Sequence, residues 1–183
     1  DAAIAERADG VDLVVRHLED AMNLGEVLND LTNCADGDLV SKWDDDDWYD
    51  SQHLSDLVRA LDFSGAVMVG KAAEFVYLEA LDITIRRFAG AAERLSVTLA
   101  GGTLLLPRDD LMTVGWAPVA RQVDRRLIDK LQDLGFPTYR THGFGYVLRR
   151  QGSSLAQHTW QAGDGYFLQQ SSEQRTGLDL GFA

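Results

Sequence analysis

Residues 71–87 constrain the fold more than any other stretch. Phe75, Val76, Leu78, Leu81, Ile83 and Ile85 fall here with few interruptions, and apolar side chains occur nearly all round a helical wheel. A helix with no solvated face must lie inside the core. The expectation is therefore a central helix from Lys71 to Arg87. A chain of 183 residues is long enough to enclose it, as one sizeable core or as one domain with an extension. Hydrophobic content of 45% and charged content of 25% are those of a globular chain.

Other elements follow from periodicity and punctuation. Val11, Val14, Val15, Leu18 and Met22 recur at helical spacing, and Val27, Leu28 and Leu31 continue an apolar face past Gly25. Ser51 is a fitting cap for a second helix with Leu54, Leu57, Val58 and Leu61 inward. Leu95–Leu99 and Thr103–Leu106 flank Gly101-Gly102 and read as a β-hairpin. Pro118 suits the first turn of a helix whose stripe is Val123, Leu127, Leu131 and Leu134, and Gly135 suits its left-handed stop. Thr138–Arg150, Leu155–Trp160 and Gly165–Gln170 read as strands of an antiparallel meander.

Charge divides the chain. Residues 1–83 carry 5 Lys and Arg against 20 Asp and Glu, whereas residues 84–152 carry 11 against 6. The basic segment suggests a face for a polyanion, or an internal match for the acidic half. The longest nearly apolar run, Val97 to Leu106, is too short to span a bilayer, so no membrane partner is expected. Cys34 is the single cysteine; it makes no internal disulfide and favours a reducing, cytoplasmic setting.

Residues 104–150 carry a resemblance. Pro107-Arg108-Asp109-Asp110-Leu111-Met112 is similar to S-R-x-x-L-[LM], Arg121-Gln122-Val123-Asp124 to R-x-V-D, and Tyr139 through Leu148 to I-x-T-V-x-G-x-G-Y-x-[LF]. Upstream, Glu74-Phe75 with Leu78 and Leu81 is similar to E-F-x-L-L. In this order the motifs resemble the winged-helix DNA-binding domain of OmpR/PhoB-type response regulators. The resemblance implies a recognition helix presenting Arg121, Arg125, Arg126 and Lys130 to the major groove. It also implies a wing bearing Arg140, His142 and Arg149, with Gly143 and Gly145 allowing close approach to phosphates. The N-terminal half shows no receiver domain, so phosphorelay control does not carry over.

Elsewhere the bland readings prevail. Asp44–Asp47, flanked by Trp43, Trp48 and Tyr49, reads as a hydrated acidic loop, since adjacent carboxylates point in different directions and the EF-hand pattern fails. A second reading has this loop cover the basic face of residues 121–150. His17, His53, His142 and His158 form no metal-binding spacing. Gly101-Gly102 is turn chemistry and not a phosphate loop. No catalytic set, metal or cofactor is expected. The expected fold class is α+β: an acidic helical region (1–66), a winged-helix-like centre (67–152) and an antiparallel β-rich C-terminal extension (153–183). The expected function is non-catalytic, regulatory binding of double-stranded DNA. The alternative is an interaction or assembly subunit of a viral or multiprotein complex, with a protein partner or a second copy and without DNA.

Overall fold

The computed structural model of the protein describes residues 11–16, 22–151, 163–181 and 183. Its strands form two five-stranded mixed sheets. The first runs, edge to edge, β1 (Leu39–Ser41), β7 (Leu105–Pro107), β3 (Met68–Lys71), β8 (Thr138–Thr141) and β6 (Arg94–Leu95). The second runs β10 (Ser171–Thr176), β5 (Ile83–Arg87), β4 (Phe75–Leu78), β9 (Tyr146–Arg150) and β2 (Trp48–Tyr49). Two pairs are parallel: Met68 to Lys71 lie opposite Thr138 to Thr141, and Phe75 to Leu78 opposite Val147 to Arg150. Because β4 follows β3 and β9 follows β8, one parallel pair of segments leaves the first sheet and enters the second.

Helices cover the sheets. They are α1 (Leu24–Cys34), α2 (His53–Ser64), α3 (Arg108–Val114), α4 (Val123–Asp133) and α5 (Asp164–Leu168). An Asn23–Glu26 capping box starts α1, satisfying backbone donors that the first turn leaves open. The main core joins Met68, Leu104 and Leu106 to Leu111 of α3 and to Val123, Leu127, Ile128 and Leu131 of α4, with Trp116 between them. Leu57 and Ala60 of α2 pack on Val69, Leu105 and Tyr139. In the second sheet Val76, Leu78 and Ile85 pack on Phe167 of α5. Each such side chain contributes roughly 1.5–3 kcal/mol by leaving water. No described helix is long and apolar enough to cross a membrane.

The expected α+β layout with a winged-helix-like centre is corrected to mixed sheets flanked by helices. Residues 71–87 are not a helix but the end of β3 followed by β4 and β5, joined by a 3-10 turn at Glu79–Leu81. A segment apolar on every side fits a strand covered on both faces equally well. Val76, Tyr77, Ile83, Thr84 and Ile85 are the β-branched and aromatic types that favour the strand. The supposed wing is also absent, since β8 and β9 lie in different sheets and do not pair with each other. Nor do β6 and β7 form a hairpin: β6 pairs with β8, and β7 with β1 and β3. Pro118 precedes α4, which begins at Val123. The C-terminal meander is replaced by a short helix, α5, and a strand, β10, on the edge of the second sheet. Leu155–Trp160 and residues 17–21 of the first expected helix lie outside the described residues, while Val11–Arg16 are not helical.

His53 shows how tightly this fold closes. Its side chain is fully buried, with the rings of Trp43, Tyr49 and Tyr146 at 5.0, 4.8 and 6.1 Å. Burial, helped by the charge of Lys71 and opposed by Asp50 and Asp56, brings its pKa down from 6.5 to about 4. The folded protein therefore holds His53 neutral, while the unfolded chain takes up a proton below pH 6.5. The associated stability is complete above pH 6.5 and falls away as the pH drops towards 4, by ~3 kcal/mol in all. In urea unfolding at both pH values, the stability of the native chain minus that of His53→Gln is expected to fall by most of this amount from pH 6.5 to 4, whatever other groups such as Asp47 contribute. An unchanged difference would assign the titration to other groups.

Candidate active site

A cavity of about 540 Å³ opens where the two sheets meet. The acidic loop between β1 and β2 forms one side, supported by the 3-10 turn Gly101–Thr103 and the start of α4. Arg87, Arg140 and Arg150 line it from the strands. Carboxylates and guanidinium groups therefore face a common space.

The acidic side is built from segments far apart in sequence. Asp44 and Asp124 share one cation, the buried Lys42, whose Nζ lies 2.5 Å from Asp44 Oδ1 and 3.9 Å from Asp124 Oδ1. Burial raises the Asp124 pKa above the usual carboxylate range, against the pull of Lys42. The Asp44 amide donates to Tyr49 Oη at 2.8 Å, and that hydroxyl donates to the Gly102 carbonyl at 3.0 Å. Asp47 accepts from Tyr146 Oη at 2.6 Å and from the Arg149 amide at 2.9 Å. Burial nonetheless pushes its pKa up to about 7. Of the run, Asp45 is exposed, while Asp44 and Asp46 are half-buried in the cavity lining.

The Gly101-Gly102 pair is explained by this crowding. A Cβ on Gly101 would stand 2.2 Å from Asp124 Oδ2, and one on Gly102 would stand 2.8 Å from both Asp44 Oδ2 and Tyr49 Oη. At either distance the facing side chain must shift, so these positions let the two carboxylates close over the backbone. Gly143 and Gly145 serve a similar need. A Cβ there would meet Glu74 at 2.6 Å and Asp50 at 2.6 Å respectively. They approach carboxylates, the opposite of what a phosphate-binding wing requires.

The residues expected to touch DNA are distributed over several surroundings. Arg121, Arg140 and Arg149 reach the cavity. Arg149 is paired with Glu79 at 2.7 Å. Arg125 pairs with Asp129 at 2.7 Å, one helical turn on, and donates to the Val97 carbonyl. Lys130 donates to the Val114 carbonyl. Arg126 is exposed and outside the cavity lining. His142 lies 3.5 Å from Asp56, and its amide donates to Glu93. Lys42 and Asp124 were not named as site residues in the sequence, and Asp44 was read only as part of the acidic loop. The available signals were the aspartate run and the aspartate of Arg121-Gln122-Val123-Asp124, which only the second reading of the loop brought together.

No described family and no curated protein matches the sequence. Among solved structures, the crystal structure of S. aureus TarS residues 1–349 in complex with UDP-GlcNAc superposes with a TM-score of 0.57 at 14% identity. The chain shares its fold with TarS. The match covers 86% of this chain and 48% of the TarS chain, so the chain spans about half the length of that relative. This likeness overturns the resemblance to a winged helix, and with it the regulatory DNA-binding function and the DNA partner. The expectation of a non-catalytic chain is corrected as well, because the fold is shared with part of a protein solved in complex with UDP-GlcNAc. The alternative without DNA agrees better with the fold on that one point.

Gly101→Ala tests the positioning role. The backbone at Gly101 is not left-handed, so thermal unfolding should shift by no more than about 4 °C. The Asp124 carboxylate should move away from Lys42, read as a changed NMR titration of that carboxyl. An unaltered titration would show that the glycine does not place it.

Proposed function

We propose that the chain is a nucleotide-sugar-dependent glycosyltransferase domain, with the cavity as its donor site. The convergence of Asp44 and Asp124 on one cavity, in a fold shared with a UDP-GlcNAc-bound protein, carries this reading. A sugar nucleotide brings a diphosphate, which an acidic wall repels unless a cation lies between them. Asp44 and Asp46 offer the hard oxygen donors that Mg²⁺ or Mn²⁺ takes. Among the described residues no group of three His, Cys, Asp or Glu is placed to hold a metal alone. That fits the usual Mg²⁺ mode, in which one or two carboxylates share the ion with substrate phosphates and water. Held by Asp44 and Asp46, such a cation would supply charge compensation for the diphosphate leaving group.

The chain's own groups divide the remaining tasks. Lys42 holds Asp44 and Asp124 at their places. Asp47 ties the loop to Tyr146 and to the Arg149 backbone. Asp124, made more basic by burial, is the general base. An acceptor hydroxyl loses its proton to the Asp124 carboxylate as its oxygen bonds to the anomeric carbon. The bond from that carbon to the diphosphate oxygen breaks, and the nucleoside diphosphate leaves with the electron pair.

Calorimetry should show UDP binding with Mg²⁺ or Mn²⁺ and not with a chelator. Asp44→Asn should weaken it by about tenfold or more, as loss of one of two carboxylates implies. Asp124→Asn should leave UDP-GlcNAc binding within about threefold while slowing UDP release by about 10²–10⁴. Failure to bind UDP with either cation would remove the donor-site reading.

A further inference from the structure

The side of the cavity formed by the strands presents a separate problem. Arg87, at the end of β5, is 2% exposed, and Arg140, in β8, is 5% exposed. Both line the cavity. The Nε of each is buried and has no hydrogen-bond partner among the described residues. A guanidinium keeps its charge at any ordinary pH, so burial calls for a nearby anion.

The described neighbours do not provide one. Arg87 donates to the neutral Gln170 Oε1 at 2.6 Å, and the rings of Phe88 and Phe167 lie 4.4 and 4.8 Å from its guanidinium carbon. Aromatic faces attract a cation without neutralising it. Arg140 donates to the carbonyls of Ala91 and Thr98. Glu74, the carboxylate that acts on Arg140, is bonded to Arg86 at 2.8 Å. Across the cavity, Asp44 and Asp124 share Lys42, and Asp47 is held by Tyr146 and Arg149.

We infer that Arg87 and Arg140 form a subsite for an anionic group, phosphate or carboxylate, carried by the acceptor. The inference rests on the glycosyl-transfer reading, and it gives that reading an acceptor class. The carboxylate side takes the donor with its cation; the arginine side takes the acceptor's oxyanion, which guanidinium donors suit. The acceptor hydroxyl is then held between the two, within reach of Asp124.

The test uses the full chain and two probes, inorganic phosphate and acetate, followed by ligand-detected NMR. At least one is expected to bind, and the tighter of the two identifies the group. Binding should persist when the protein is saturated with UDP and Mg²⁺. Arg87→Gln and Arg140→Gln should each weaken the probe by about tenfold, while UDP–Mg²⁺ affinity stays within about twofold. If neither probe binds the native chain, or UDP–Mg²⁺ displaces the probe, the acceptor subsite is refuted whatever the variants do. Variants that keep the probe, or that lose UDP instead, also refute it. Absence of UDP binding would strike the donor reading alone, because the probes are read without it.

Discussion

The buried ammonium of Lys71 holds the two sheets in their relation. Lys71 ends β3, and its side chain is wholly out of water. Burial lowers its pKa, and Asp56 of α2, 3.3 Å from Nζ, opposes that fall. The Phe144 carbonyl, in the connection from β8 to β9, accepts a second bond from Nζ. One cation therefore joins a helix, the end of one strand and the turn between two others. A buried charge is tolerable only with such partners, and removing one is far costlier than never placing the pair. The crossing fixed in this way carries Ala72 and Ala73 to the cavity, with Arg140 lining the same space.

Beside that crossing the cavity sets its aspartate loop on one side and the strand arginines on the other. The chain has a net charge of −12, yet its cavity is not uniformly acidic. Lys42 is placed among the carboxylates, and buried arginines lie on the strand side. A polyanionic donor and an anionic acceptor repel each other in water. In the proposed transfer, a divided cavity would offer each its own counter-charge and bring a nucleophile and an electrophile together despite that repulsion.

Much of the helical structure was legible in the sequence, and the sheets were not. The stripe Val123, Leu127 and Leu131 is buried as its spacing requires, although Leu134, at its end, is 56% exposed. Helix α2 begins two residues after Ser51, but Gln52 and not Ser51 stands at its cap position, without a side-chain cap bond, and its buried face includes His53 and Ala60 in place of the exposed Leu54. The period of residues 71–87 cannot separate a buried helix from two buried strands, and its β-branched content was the better guide. Hairpins inferred between neighbours in sequence fail here, because both parallel pairs join segments about seventy residues apart. Long-range pairing leaves no mark in a local window. The motif Arg121-Gln122-Val123-Asp124 drew attention to its arginine. The structure gives its aspartate the central place, beside Lys42, which no spacing rule connects to it. The acidic loop, read mainly as hydrated, is bonded through Asp47 to the Tyr146 hydroxyl and to the Arg149 backbone amide, two uncharged donors.

The hydroxyl of Tyr49 has a mechanical consequence. It accepts from the Asp44 backbone and donates to the Gly102 carbonyl, so one phenol pins the aspartate loop to the glycine turn. Its ring is stacked on Trp43, 4.5 Å away, which limits its swing. The loop and the turn are thus fastened to each other, and because the turn's Gly101 abuts Asp124, one phenol helps set the spacing of Asp44 and Asp124 across the cleft.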